Sequence, residues 1–407
     1  MSTRKFLSIL LLSAVTTGAH AELKAMDDAA MSEVTGQAFV SIDRQYHPSV
    51  DNSTSYTRIN LGMDIEIQSN ADVLELGRYE RDDSATGGEN EKAGTSDVLV
   101  KNFGLGYIQN SDYYSDHPDA PRMLKPNGQP YSEGEIVPFQ IKDPFIEFAY
   151  DEDSNEVVGV RIGYGEAKGI LSGNIETLTG NVNVDIIDHG EGLSNADSDG
   201  NLFDQLIVLL TPLLEGSSPL STKAKLVKGD DNDPDVGSLD PVRAEHIGIP
   251  DGEKFTLEGA SAFTRWSVKN LIGWGSSSEI EVPNCSLFNC PGGDIYVYAK
   301  DCRVLGIDSC FDLDIYESFP IGEVEEINGD RYITDPKKGM FLSFQTKDLD
   351  WLGDVEKENP VAADFIRATA GGFFNVPNGA TEVNLNEALN GVQRYRSEYI
   401  DRGKGLF

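Results

Sequence analysis

Basic side chains are scarce in this 407-residue chain: 33 Lys and Arg stand against 68 Asp and Glu, a formal net charge of −35. A surface of that sign repels phosphate backbones and anionic membrane surfaces, which argues against nucleic acid as a partner. Cysteine is scarcer: the four present, Cys285, Cys290, Cys302 and Cys310, lie in one stretch. Long apolar runs are missing beyond the first twenty-odd positions. Leu206–Leu214 is the longest and contains Pro212. It cannot cross a hydrocarbon core about 30 Å thick, so no transmembrane helix is expected there. Catalytic signatures are missing too. There is no G-x-S-x-G, no H-E-x-x-H and no H-x-x-x-H; Gly273-Trp-Gly-Ser-Ser-Ser278 comes nearest to the first and lacks its closing glycine. Carboxylates are so abundant that some pair must lie within about 5–10 Å, so a glycosidase-like pair carries no information.

What is present begins at the N-terminus. Arg4 and Lys5 precede the apolar run Phe6–Val15, and Ala19-His20-Ala21 supplies the small-x-small pattern of a signal peptidase site. Residues 1–21 therefore read as a cleaved leader. Its loss takes Arg4 and Lys5 away and moves the net charge from −35 to −37. Export places the four cysteines in an oxidising compartment, where an even count reads as two disulfides. Three pairings are open. The spacings C-x4-C and C-x7-C fit a zinc knuckle poorly, and oxidised cysteines argue against a thiolate nucleophile.

Behind the leader lie Leu23, Met26, Asp27, Met31, Val34, Thr35, Gly36 and Gln37. Asp27 suits an N-cap, Met31 and Val34 share a face, and Gly36 suits a C-terminal cap, giving one helical turn. Phe39–Ile42 follows as a strand. This stretch resembles the start of an uncharacterised family of exported Gram-negative proteins, with a fainter echo in Gly371–Pro377 and Leu385–Leu389. The resemblance implies secretion and a β-rich surface protein. It brings no catalytic residue with it.

The body alternates with the period of a strand. Ile59, Leu61, Met63, Ile65 and Ile67 line up on one face, as do Val158, Val160, Ile162 and Tyr164 on another and Val182, Val184 and Ile186 on a third. In each case the apolar column is expected to be the buried one. Phe145–Tyr150 should pair with Val158–Tyr164 across the polar turn Asp151–Asn155. Further strands are expected at Asp294–Lys300, Phe311–Tyr316 and Met340–Thr346. Helices are expected at Leu202–Leu214, Val361–Ala370 and Glu382–Gly391. The fold class is mainly β, antiparallel sheets in a sandwich-like or partly solenoidal arrangement with a few short helices. The expected division is a leader at 1–21, a helical turn and first strand at 22–45, a β-rich domain at 46–228, an acidic linker at 229–240 and a disulfide-bearing β-rich domain at 241–407.

One loop invites a cation. Asn195, Asp197 and Asp199 place oxygens at alternate positions before Gly200, with Asp204 in reach of a fourth ligand site, which suits calcium. The glutamate of an EF-hand is absent, Leu206 standing in its place, and the same pattern describes a turn capping the helix that follows. The run Asp230–Asp235 reads as a solvated linker with a weaker claim to calcium. His117 among Asp116 and Asp119, and His189 beside Asp185, Asp188 and Glu191, are lesser metal candidates; His47 and His246 stand alone. Tyr107, Tyr113 and Tyr114 either offer contacts from a long loop or cover the sheet beneath. Phe407 ends the chain as outer-membrane barrels often end, but Asp401, Gly403 and Gly405 break the required alternation. Taken together, these features point to an exported binding or structural protein of the envelope, active in adhesion or surface assembly. A secreted, calcium-stabilised hydrolase and an envelope protein aiding uptake of a hydrophobic compound are the alternatives. The last would need a large apolar cavity.

Overall fold

The computed structural model describes residues 40–46, 53–80, 95–230 and 232–396. The leader, the Asp27–Gln37 turn, His47, most of the Arg81–Ser96 loop and the chain end at Phe407 lie outside them. The described residues fall in one compact unit. The fold is mainly β and antiparallel, as the alternation implies.

Thirteen strands carry the description: β1 Val40–Tyr46, β2 Thr54–Leu61, β3 Ser69–Leu76, β4 Val98–Leu105, β5 Phe139–Asp151, β6 Glu156–Leu178, β7 Gly180–His189, β8 Pro219–Val227, β9 Lys254–Ala260, β10 Gly293–Tyr298, β11 Ser318–Ile321, β12 Phe341–Gln345 and β13 Gly371–Val383. Four short helices accompany them: α1 Ser111–Asp116, α2 Leu202–Glu215, α3 Ala262–Ser267 and α4 Leu385–Asn390. Neighbours run β1-β2-β5-β6-β12-β13-β7-β8-β9-β10. Only β13 and β7 in this row are parallel. The expected hairpin at Asp151–Asn155 joins β5 to β6.

β6 organises the molecule. Its 23 residues exceed the usual strand several-fold. Its first half pairs with β5 and β12, and its second half leaves that sheet to pair with β4 and β11. The stretch 158–187 is therefore no solenoid, but one strand shared by two sheets followed by β7. A core from Val98 and Ile175 through Val184 and Leu226 to Phe255 and Ile295 fills the space between.

That core draws buried residues from both sides of the expected linker at 229–240, Val98 to Leu226 before it and Ala244 to Val392 after it. The acidic segment is a folded excursion. Gly237 N–H donates to the Lys228 carbonyl and Lys228 N–H to the Ser238 carbonyl. Lys228 Nζ lies 3.5 Å from Asp233 and 3.6 Å from Asp235. Three expectations need correction. Ile59–Ile67 is two strands, broken at Gly62-Met63, because its halves pair with different halves of β5. Val361–Ala370 is a 3-10 turn and then the strand Phe365–Ala368, which buries Ala368 beside Trp351. Phe311–Tyr316 stops as a strand at Asp312 and turns. Helix α2 is where it was expected, and α4 lies inside the expected Glu382–Gly391, whose first two residues instead close β13.

The largest correction concerns which face is buried. Ile42, Ile59, Ile146, Ile162 and Leu342 lie opposite one another in register across β1, β2, β5, β6 and β12. This apolar row faces outward, and Ile162 is 50% exposed. The inward face carries Arg58, Glu147 and Arg161, all buried. Arg161 Nε donates to Glu147 at 2.5 Å and Nη1 to the Leu352 carbonyl at 2.8 Å. The rings of Phe145, Phe341 and Trp351 surround the guanidinium at 5.0–5.1 Å. Gly159 and Gly163 make this possible: a Cβ at either would run into Leu349 and Trp351 or into the Phe145 ring. Period-two alternation names the residues that share a face; long-range packing decides which face is covered.

Removing a buried ion's partner costs about 3–5 kcal/mol, whereas a surface change stays within about 0.5 kcal/mol. Arg161→Ala should therefore lower unfolding free energy by about 3–5 kcal/mol in urea melts. Ile162→Thr should change it by well under 1 kcal/mol. The opposite order would mean that the apolar row is the buried one.

Candidate functional site

α2 starts where its sequence says it should. The Asn201 side chain accepts from Phe203 and Asp204 N–H, and the Asp204 carboxylate accepts from Asn201 N–H, a complete capping box. The helix then orients against the usual rule for a surface helix. Ile207, Val208 and Thr211 are buried with the two acids Asp204 and Glu215. Leu202, Leu209 and Leu213 face outward, Leu213 being 76% exposed.

The two acids clamp a second helical segment against α2. At one end, Glu215 accepts from Ser261 N–H and Ser218 Oγ at 3.0 Å and from Thr264 Oγ1. At the other, Asp204 accepts from Ser276 Oγ at 2.5 Å, Ser277 Oγ at 2.7 Å and Ser277 N–H at 3.1 Å. Residues 262–275 thus run antiparallel to α2 as α3, a π turn Val268–Ile272 and a 3-10 turn Gly273–Gly275. Phe203 meets Trp274 at 5.4 Å between ring centroids. Burial alone would raise the pKa of both acids, but the hydrogen bonds outweigh it and hold both below their ordinary values.

A third piece is the loop closed by the Cys285–Cys290 disulfide. The buried Arg265 of α3 donates to the carbonyls of Pro283, Pro291 and Asp294 and fixes both ends of this loop. Trp266 Nε1 donates to Leu287 O at 3.0 Å. Phe288, at the apex, is 96% exposed. The other disulfide joins Cys302 to Cys310, so the four cysteines pair with their neighbours in sequence.

Helix α2, the segment 262–275 and the disulfide loop adjoin one another, and each exposes large apolar side chains. Trp274 is 74% exposed and Phe263 66%, with Leu271 and Leu287 also exposed. Isolated exposed hydrophobes mean little, but contiguous ones mark contact sites. The charge pattern of these segments departs from the average of the chain. Residues 205–214, 259–278 and 282–293 contain no Asp or Glu in a protein with 68 of them. Their charged residues are Arg265, which is buried, and Lys269, which is exposed.

The calcium candidates border this surface without converging. Asp204 is committed to the cap and to the serines. Asp199 accepts from Arg303 at 2.9 Å. Asn195 ends a 3-10 turn, and the loop holding Asp197 is tied down by Ser198 Oγ donating to the Leu305 carbonyl. Among the described residues, no three Asp, Glu, His or Cys side chains form a group that could hold a metal. The serines nearest to a nucleophile motif, Ser276 and Ser277, donate to Asp204. His117 lies against the Tyr113 carbonyl and ring, His246 pairs with Asp312 at 3.0 Å, and His189 ends β7. Tyr107 and Tyr114 are buried, with Tyr114 Oη donating to Tyr107 Oη at 3.0 Å, so they cover the sheet.

Sequence reading missed one carboxylate pair. Glu382 and Glu387 lie 2.9 and 3.3 Å from Arg331, which holds both. Burial pushes both pKa values up despite that cation. Glu387 also caps α4 through Asn384 N–H. This is a clamp between β13, α4 and the strand Asp330–Ile333. An apolar cavity between β7, β9, β11 and α4 has a volume of only about 40 Å³. Ligand pockets run to about 300–1,000 Å³.

A family model described as a family of unknown function (DUF6160) matches residues 1–105. The match covers the expected leader, the Asp27–Gln37 stretch and the strands to β4, and its description names no activity. The apolar surface lies beyond it. No curated protein and no solved structure matches the chain.

Folded-state pKa values held below 3.8 for Asp204 and 4.5 for Glu215 mean that both stabilise the fold only when ionised. Their contribution is complete above about pH 4.5 and drains away as pH falls through the lowered values. Stability measured by urea melts should therefore drop as pH falls below about 4.5. In Asp204→Asn/Glu215→Gln that drop should be shallower, from a lower starting value. A pH profile parallel to wild type would contradict the clamp.

Proposed function

We propose that the protein is an exported binding or structural component of the bacterial envelope. It works by contact, through the surface made by α2, residues 262–275 and the Cys285–Cys290 loop. One observation carries this reading. The three most exposed large apolar side chains among the described residues, Phe288, Leu213 and Trp274, lie in the segments that contain no Asp or Glu, and two disulfides suit the oxidising side of a membrane. The acids that α2 does contain are turned inward and saturated by hydrogen bonds. The surface is therefore rigid and prepared before any partner arrives, which lowers the ordering cost of binding.

Cell fractionation tests the proposal. The protein expressed with its own leader should partition with the envelope, and Leu209→Glu/Leu213→Glu should release it into the soluble periplasmic or extracellular fraction with unchanged near-UV circular dichroism. A wild-type protein free in solution, or a variant that partitions like wild type, would contradict it.

A further inference from the structure

We infer that the occupant of this contact surface is a lipid surface, into which the helical layer and the Phe288 loop insert from one side. The inference rests on the contact reading and names its partner. Three features separate lipid from a protein.

The first is shape. Phe288 projects from a loop clamped by a disulfide at its base and by Arg265 and Trp266 at its sides. α2 and residues 262–275 lie side by side as a broad face. A projecting aromatic needs a matching socket in a protein partner, whereas a lipid surface yields to it. A second copy would bring the same projection, together with the same large negative charge.

The second is composition. Trp and Phe beside Leu, with one Lys, is the set favoured at the boundary between headgroups and acyl chains. At about 150–250 Å² for a large aromatic side chain, the exposures sum to something on the order of 1,000 Å². The largest apolar patch of an ordinary monomer is about 300–600 Å². The fourteen residues of α2 span only about 21 Å, too short to cross a bilayer, so the helix meets lipid with its leucine stripe side-on.

The third is charge. A chain at −35 is repelled by anionic surfaces as a whole. The helical face, without acids on its outer side, escapes that repulsion only at short range, and Lys269 is a single attractive charge. Binding is therefore apolar, it favours zwitterionic lipid, and salt does not weaken it.

The test uses the exported full-length protein and sucrose-loaded vesicles of phosphatidylcholine with phosphatidylethanolamine. Wild type should sediment with vesicles, and Trp274 fluorescence should shift to the blue. Retention should be unchanged or higher from 0.05 to 0.5 M NaCl. Phe288→Ser and Leu209→Glu/Leu213→Glu should each weaken binding at least tenfold. Ile42→Thr/Ile162→Thr, on the outward sheet face, should bind as wild type. Three outcomes overturn the lipid assignment: no sedimentation, binding abolished by salt, or light scattering that shows a dimer dissolved by Leu209→Glu/Leu213→Glu. If the protein nevertheless fractionates with the envelope, the contact reading stands with a different occupant. If it does not, both fall.

Discussion

The placement of two carboxylates governs the functional surface. Asp204 and Glu215 sit at opposite ends of α2, buried, and each accepts several hydrogen bonds from residues 261–277. An ionised carboxylate away from water is costly unless it is saturated in this way. Once saturated, it fixes the geometry of whatever donates to it. The pair therefore sets the helical layer side by side and removes the only acids of α2 from its outer face. Without that arrangement, the leucine stripe and the Trp274–Phe203 contact would have no common frame.

A similar economy of buried charge recurs in the sheets. Arg161 meets Glu147 beneath β5 and β6, and Arg243 meets Asp97 at 3.0 Å where β4 begins. Asp97 also accepts from Gly372 N–H at 2.8 Å, and Arg243 donates to the Tyr79 carbonyl at 2.7 Å. Each pair ties together strands that are distant in sequence, so their role is to fix register and connection. The protein thus has polar ties inside one part of its sheet and apolar residues outside it. The helical layer shows the same inversion, buried acids beneath exposed leucines.

Much of the fold could be read from the chain. The strands followed from alternation, α2 and α4 from their caps and apolar spacing, and the disulfides from compartment and count. What failed was orientation. Nothing local distinguishes an outward Ile146–Ile162 row from an inward one. The decision depends on Gly159 and Gly163 admitting Trp351 and Phe145, and on Glu147 meeting Arg161 across a hairpin. Asp204 is ambiguous for a related reason. Alternating Asn and Asp ahead of a helix serves a cation loop and an N-cap equally well, and the deciding donors, Ser276 and Ser277, lie more than seventy residues away. The contact surface itself left one legible trace, the absence of acids from three segments, which becomes informative only once the fold shows that they adjoin.

Oxidative footprinting of the native envelope against the detergent-released protein bears most directly on this account. Trp274 and Phe288 should be labelled strongly after release and protected in the envelope, while labelling at Tyr46 and Phe344 on the sheet face stays the same in both. Equal labelling of Trp274 and Phe288 in the two states would show that this surface meets nothing, and the account would fail.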